Sequence, residues 1–268
     1  MPAHRPIVMT TAGAVVSGHH KASEAGAAVL RDGGNAMDAA VAASAALCVA
    51  IPHMNGLGGD CIALYFEAAT GKVTAINGSG RAPASTSADI IRAAGHSNMP
   101  MRGPFAISVP GLVSAWETCL ARFGTQPLGA LLTPAGKLAA DGIPIDTVLA
   151  QFLAGPVYRD LVASYPALAS LYGAPGGRRL GEPIRNPKLS ETIAAVARRG
   201  AAAFYRGDIT EMLVSDLRAA GAPITTDDFH RHETRFDAPL SVAIAGRRLH
   251  AAPPNAQGLA LAVMAGLY

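Results

Sequence analysis

The stretch that decides the fold is Ala22-Ser-Glu-Ala-Gly-Ala-Ala-Val-Leu-Arg-Asp-Gly-Gly34, followed by Asn35-Ala-Met-Asp-Ala-Ala-Val-Ala-Ala-Ser-Ala-Ala-Leu-Cys-Val-Ala50. In its first part Ala22, Ala25 and Val29 recur at helical spacing, and Gly33-Gly34 ends the helix because glycine adopts the left-handed conformation that closes one. Asn35 is a natural N-cap for a second helix over residues 36–50, with Asp38 in its first turn at the positive end of the dipole. That helix is nearly all small and apolar, which predicts burial on most of its surface. Ahead of the pair, residues 10–17 carry the β-branched Val15 and Val16 and predict a strand.

Working outward, a glycine loop, Asn55-Gly-Leu-Gly-Gly-Asp60, leads into residues 61–66, which are rich in β-formers. Ala69-Thr70-Gly71 turns the chain back into residues 72–77, a hairpin, and Gly78-Ser79-Gly80-Arg81-Ala82-Pro83 closes the unit. Residues 1–84 thus read as one sheet-and-helix unit, with two helices packed on an antiparallel sheet. Residues 110–220 read as a helical segment, with helices over 111–123, 127–140, 146–153, 189–199 and 208–219 separated by Gly or Pro. Residues 172–188, dense in Gly, Pro and Arg, read as a loop. Thr225 or Thr226 caps a short turn at 227–229. Residues 240–268 bring two returning strands (240–245 and 247–252) around Gly246 and a last helix over 257–267. The class is α+β.

The 268 residues, 50% hydrophobic and 15% charged, suffice for a sizeable core. The net charge is +3, but the 22 Lys and Arg are scattered, with no run beyond pairs such as Arg178-Arg179. A nucleic-acid partner needs cations gathered on one face, so that class is excluded. The cysteines Cys48, Cys61 and Cys119 have no CxxC spacing, which argues against a disulfide scaffold or a structural zinc site. Cys48, in an apolar run, reads as a buried small hydrophobe. Residues 36–51 are too short and alanine-rich to span a bilayer, and residues 1–11 lack the apolar core of a signal peptide. The expectation is a cytoplasmic chain with no membrane contact.

Several constellations have chemical potential. The glycine loop at 55–60 lacks the Lys-Ser/Thr pair of a mononucleotide loop and leads into a strand, which favours a tight backbone passage beside a sheet or substrate. His230 and His232, with Asp227, Asp228 and Glu233, have metal-ligand residue types. Their i, i+2 spacing aligns the imidazoles only on a strand, whereas Thr226-Asp-Asp-Phe-His230 reads as a capped helical turn. No metal is therefore expected. His19-His20 opens a helix on two different faces, in local hydrogen-bonding roles. No serine sits in a G-x-S-x-G elbow.

The run from His19 to Ala42 resembles the opening of the gamma-glutamyltransferase (gamma-glutamyltranspeptidase) family. Asn55-Gly-Leu-Gly-Gly-Asp-Cys61, Gly71-Lys-Val73 and Arg81-Ala-Pro83 continue the resemblance in order. So do Val109-Pro-Gly-Leu-Val-Ser-Ala-Trp116, Phe123-Gly-Thr125, Leu132-Thr-Pro-Ala-Gly-Lys-Leu-Ala-Ala-Asp-Gly142, Ala203-Phe-Tyr-Arg-Gly-Asp-Ile209, Ile224-Thr-Thr-Asp-Asp-Phe229 and Pro253-Pro-Asn-Ala-Gln-Gly258. The resemblance covers essentially the whole chain.

It implies an N-terminal-nucleophile hydrolase with an αββα sandwich, incomplete in this chain, made as a zymogen that cuts itself into a large and a small subunit. The new N-terminal Thr of the small subunit attacks an amide carbonyl with its own α-amino group as base. It implies no cofactor. This chain resembles part of the large subunit and stops before the cleavage site, so no catalytic residue is expected within it. Thr10-Thr11 and Thr225-Thr226 are rejected as nucleophiles. The expected partners are the remaining large-subunit segment, the small subunit and a small-molecule amide, with a homo-oligomer left open. In the family's transpeptidases an Arg three residues before the Ala-Pro holds the substrate carboxylate. Here that position is Ser79, and the nearby guanidinium is Arg81, so Ser79 and Arg81 are the substrate-binding candidates. If the strand continues, Arg81 faces the same side as Ser79. If Gly78 and Gly80 break it, the geometry is open, and a simple pairing of Arg81 with a surface carboxylate is the alternative. The local motifs look closer to the oxamate amidohydrolase and cephalosporin acylase branches, and a catalytically dead scaffold is the alternative from another class.

Overall fold

In the computed structural model, residues 9–267 are described. The sequence expectations for residues 1–8 fall outside them. The chain forms two compact units: the stretch ending at Asn55 with Phe123–Ala194, and Gly56–Arg122 with Ala195–Tyr268. Each joins an early stretch to a late one, so the units cross the division into 1–84, 110–220 and 240–268. Local composition carries no signal for which distant stretches pack together.

In the first unit, the helices His20–Arg31 and Ala36–Ala50 form as their caps dictate. Gly33 takes φ +88° between them. Asn35 Oδ1 accepts from the amides of Met37 (2.9 Å) and Asp38 (3.1 Å), while Asp38 Oδ2 accepts from the Asn35 amide (2.8 Å). This reciprocal pairing is a capping box. Ala22 and Ala25 pack against Ala43 and Ala46, with Leu138 of the helix Leu128–Asp141 beside them. Gly26 permits the close approach, since a Cβ there would lie 2.9 Å from the Ala39 carbonyl oxygen.

A second cluster, Ile145, Leu149, Leu153, Tyr158 and Ile184, gathers the helices Thr147–Ala154, Pro156–Ser164 and Ala167–Tyr172. The expected loop over 172–188 is shorter than predicted. A two-residue ladder pairs Pro183–Ile184 with Ile143–Pro144, and Pro187–Arg199 is already helical.

Residues 10–17 are not a strand. Thr10 Oγ1 accepts from the amides of Ala12 (3.2 Å) and Gly13 (3.3 Å), a local turn that competes with a ladder. Val15 still packs on the helix pair, while Val16 is exposed.

The second unit holds a three-stranded antiparallel sheet, with Lys72–Gly78 between Cys61–Glu67 and Arg235–Asp237. Leu64 stands opposite Ala75, which stands opposite Asp237. The helix Leu112–Phe123 covers it. A Cβ on Gly78 would come within 2.6 Å of the Ala115 Cβ, and the Arg122 guanidinium lies 4.4 Å from the centre of the Phe236 ring. The 22–31 and 36–50 helix pair falls in the other unit. Helices Ala202–Tyr205, Asp208–Ala219 and Thr226–His230 lead to the third strand. Beyond it, Leu240–Ile244 and Arg247–Ala251 form a hairpin whose two turn residues have positive φ, Ala245 at +49° and Gly246 at +73°. A last helix, Gly258–Gly266, follows.

Two apolar surfaces of this unit are bare. On the edge strand Ile62, Leu64 and Phe66 are 40, 43 and 61% exposed on one face, and Leu259, Val263 and Met264 of the last helix are exposed as well. Among the described residues no helix is long and apolar enough to cross a membrane.

Candidate functional site

The central strand ends at Gly78, and the chain beyond it lines a cavity of about 550 Å3 within the second unit. The ladder does break at Gly78, yet Ser79 and Arg81 both face this cavity. What holds them is a backbone clasp rather than strand pairing. Asp60 Oδ1 accepts from the Gly80 amide (2.9 Å), and the Arg81 carbonyl accepts from the Val109 amide (3.0 Å). The glycine loop has its explanation here: the Gly59 carbonyl accepts from the amides of Gly111 and Leu112, both at 2.9 Å, at the start of the helix Leu112–Phe123. Those are among the amides a helix leaves unpaired.

The clasp tolerates no side chain at Gly80, where a Cβ would sit 1.6 Å from the Val109 carbonyl oxygen. Gly80→Ala should therefore cost about 3 kcal/mol, the upper end of the overpacking range, as backbone must move. Gly56→Ala, where nothing lies within 4 Å, should stay within about 0.5 kcal/mol of wild type. Urea midpoints of the two variants check this contrast.

Ser79 Oγ lies 2.7 Å from Asn77 Oδ1 and 3.0 Å from Asn255 Oδ1, and Asn77 Nδ2 donates to the same Asn255 oxygen at 3.2 Å. A hydroxyl has one proton, so Ser79 serves one amide oxygen at a time. Asn255, inside the 253–258 motif, was not singled out from the sequence. A loop asparagine carries no periodic signal.

The charges around the cavity divide into engaged and free. Asp228 Oδ1 accepts from the Ala84 amide (2.9 Å), and its Oδ2 from the Thr225 amide (2.9 Å) and hydroxyl (2.8 Å). Burial pushes its carboxyl up, but these hydrogen bonds and the Arg231 charge hold it below its usual range. Arg231 pairs with Asp227 at 3.3 Å. Among the described residues Arg81 and Arg235 are in no ion pair. Glu233 is the other lining carboxylate, and neither it nor Asp228 is in an ion pair among the described residues.

The histidines separate. His230 ends the helix Thr226–His230, with Nδ1 4.0 Å from Asp227, while His232 lines the cavity with its ring stacked on Tyr205 at 5.3 Å and 13°. Among the described residues no three of His, Cys, Asp and Glu gather as a ligand set. His19 caps its helix by accepting from the Lys21 amide (3.1 Å), and Thr225 caps Thr226–His230. The three cysteines are free, and burial pushes the Cys48 thiol up to about 12.

Compared with known proteins, residues 22–268 match the family described as gamma-glutamyltranspeptidase. The chain is 39% identical over 94% of its length to the glutathione hydrolase-like YwrD proenzyme of Bacillus subtilis, and covers 47% of that protein. It is 36% identical over 97% of its length to the oxamate amidohydrolase proenzyme of Klebsiella pneumoniae, covering 49% of it. The chain thus spans about half the length of these relatives. Among solved structures it resembles gamma-glutamyltranspeptidase of Helicobacter pylori, with a TM-score of 0.87 at 29% identity over 94% of this chain and 73% of that one. It also resembles cephalosporin acylase from Bacillus halodurans, with a TM-score of 0.84 at 31% identity over 96% of this chain and 50% of that one.

Proposed function

The chain belongs to the gamma-glutamyltranspeptidase family, and on that premise we propose that it is the carboxylate-binding part of an amide hydrolase or acyltransferase. The observation that carries this reading is the Arg81 guanidinium, in no ion pair among the described residues, on the wall of the cavity. Arginine is suited to hold a carboxylate through two parallel hydrogen bonds. The Ser79, Asn77 and Asn255 cluster beside it supplies neutral polar groups for an amide.

The nucleophile is a threonine outside these 268 residues. Its hydroxyl attacks the amide carbonyl while its own α-amino group takes the proton, and the amine leaves. The acyl group then passes to water or to an acceptor amine. The remaining large-subunit segment and the threonine-bearing subunit complete the αββα sandwich. The bare Ile62, Leu64 and Phe66 face and the exposed last helix support such partners, because contiguous apolar surface marks a docking site.

Ser79, standing where the family's transpeptidases have Arg, favours a small carboxylate-bearing amide of the oxamate kind over a gamma-glutamyl compound. The test is Arg81→Ala in the assembled enzyme. Arg81 is exposed, which places its contribution near the low end of a charged hydrogen bond, about 1.5 kcal/mol. KM for a carboxylate-bearing amide should rise roughly tenfold, and KM for a neutral amide should hardly change. Equal effects on both substrates, or none, would make Arg81 a structural residue.

A further inference from the structure

The orientation of one amide group on the cavity wall is fixed by a chain of hydrogen bonds that starts at the backbone. The Ser79 N–H can only donate, and it donates to Asn77 Oδ1 at 3.1 Å. In a side-chain amide the oxygen accepts and the nitrogen donates, so its partners decide which way round it sits. Asn77 is buried, 6% exposed, and turning it over would set its amino group against the Ser79 N–H. Its Nδ2 therefore faces Asn255, 3.2 Å away, and the Asn255 atom that meets this donor is the oxygen. The Ser79 hydroxyl, 3.0 Å from the same oxygen, can add a second donor.

Asn255 is thereby held with Oδ1 turned to Asn77 and Ser79. The residue is exposed and lines the cavity, as Arg81 does. Both hydrogen bonds of its side chain among the described residues go through the oxygen. What Asn255 has left to offer is Nδ2, with two N–H donors and no acceptor.

We propose that Asn255 is a specificity-determining residue of this cavity: Arg81 takes the ligand's carboxylate, and Asn255 Nδ2 donates to a carbonyl oxygen of the same ligand. The inference rests on the carboxylate-anchor reading of Arg81. It narrows the substrate class to small carboxylates that also carry an uncharged carbonyl oxygen, as an amide does. A ligand without that oxygen leaves the donor unmet, and one that offers only N–H there sets donor against donor.

The test uses two carboxylates with no amide to cleave: pyruvate, which has a ketone oxygen and no N–H, and propionate, which lacks that oxygen. Their binding to the assembled enzyme is measured by calorimetry in wild type, Asn255→Leu, Asn255→Asp and Arg81→Ala, with urea midpoints to check that each variant is folded. The affinity ratio of pyruvate to propionate should fall roughly three- to tenfold in Asn255→Leu, the range of one neutral hydrogen bond. Asn255→Asp keeps an oxygen for Asn77 and Ser79 but puts a lone pair where the N–H was. Its added charge acts on both carboxylates alike, and the ratio should fall at least as far. A ratio that either folded variant leaves at the wild-type value overturns the proposal. Failure of the anchor reading looks different: Arg81→Ala would bind both ligands as wild type does. No binding of either ligand by wild type would overturn the two together.

Discussion

Replacing Asp38 by alanine should destabilise the protein by about 3–5 kcal/mol, a shift on the order of 1–2 M in the urea midpoint. Asp38 is fully buried. Its Oδ1 accepts from the amides of Thr125 (2.9 Å) and Gln126 (3.2 Å), and its Oδ2 from the Asn35 amide (2.8 Å) and the Thr125 hydroxyl (2.6 Å). Truncation leaves the three amides without an acceptor in a dry interior, and each orphan carries the desolvation penalty of an unmet hydrogen bond. Asp38→Asn should cost less. Its oxygen can serve Thr125 and Gln126, and the Thr125 hydroxyl can turn to accept from the new amide, but the Asn35 N–H then faces another donor.

The same site fixes a pH dependence. Burial pushes the Asp38 carboxyl up, yet the hydrogen bonds from Thr125, Asn35 and Gln126 outweigh it and hold the carboxyl below its ordinary value of 3.8. Its stabilisation is therefore present above about pH 4 and is lost as pH falls through the lowered value. The gap between wild type and Asp38→Asn should narrow in acid. A gap that stays constant down to pH 2 would contradict the assignment.

Asp38 also shows how much of the molecule is legible in its sequence. Asn35 with an acid three residues on announces a helix start, and the capping box is found there. The sequence does not announce that the same carboxylate ties down residues 125–126, because that contact joins stretches 87 residues apart. The hairpin over 61–78 is legible because Thr70-Gly71 marks its turn and Gly71 takes φ +66°. Its third strand is not legible, since the three residues Arg235–Asp237 carry too little pattern to declare a partner so far away.

Ser79 and Arg81, singled out through the resemblance in order of motifs, both line the cavity, although the clasp through Gly80 was not legible. The capped turn read over 226–230 is present as the helix Thr226–His230 and is what parts the two histidines, whereas the place of His232 on the cavity wall, stacked on Tyr205, was not legible. The strand expected over 10–17 failed for a related reason, since β-branched residues give a tendency to extend and no information on whether an edge is there to pair with.

The second large effect is complete loss of chemistry in the absence of a partner. Three of the described hydroxyls that the sequence or the cavity brings into question are committed to local structure. Ser79 donates its one proton to either the Asn77 or the Asn255 amide oxygen, and Thr10 Oγ1 accepts from two amides. The Thr225 hydroxyl donates to the Asp228 carboxylate within a capping box, where that carboxylate is tied up by two backbone amides. A hydroxyl without a base in reach is a poor nucleophile. The decisive measurement follows hydrolysis of a carboxylate-bearing amide by residues 1–268 alone and by the protein assembled with the threonine-bearing segment. Mass spectrometry then locates any acyl adduct. The account predicts no turnover above background for residues 1–268, and turnover with an adduct on a threonine outside them in the assembly. Turnover by residues 1–268 alone, abolished by substitution of Thr10 or Thr11, would contradict it.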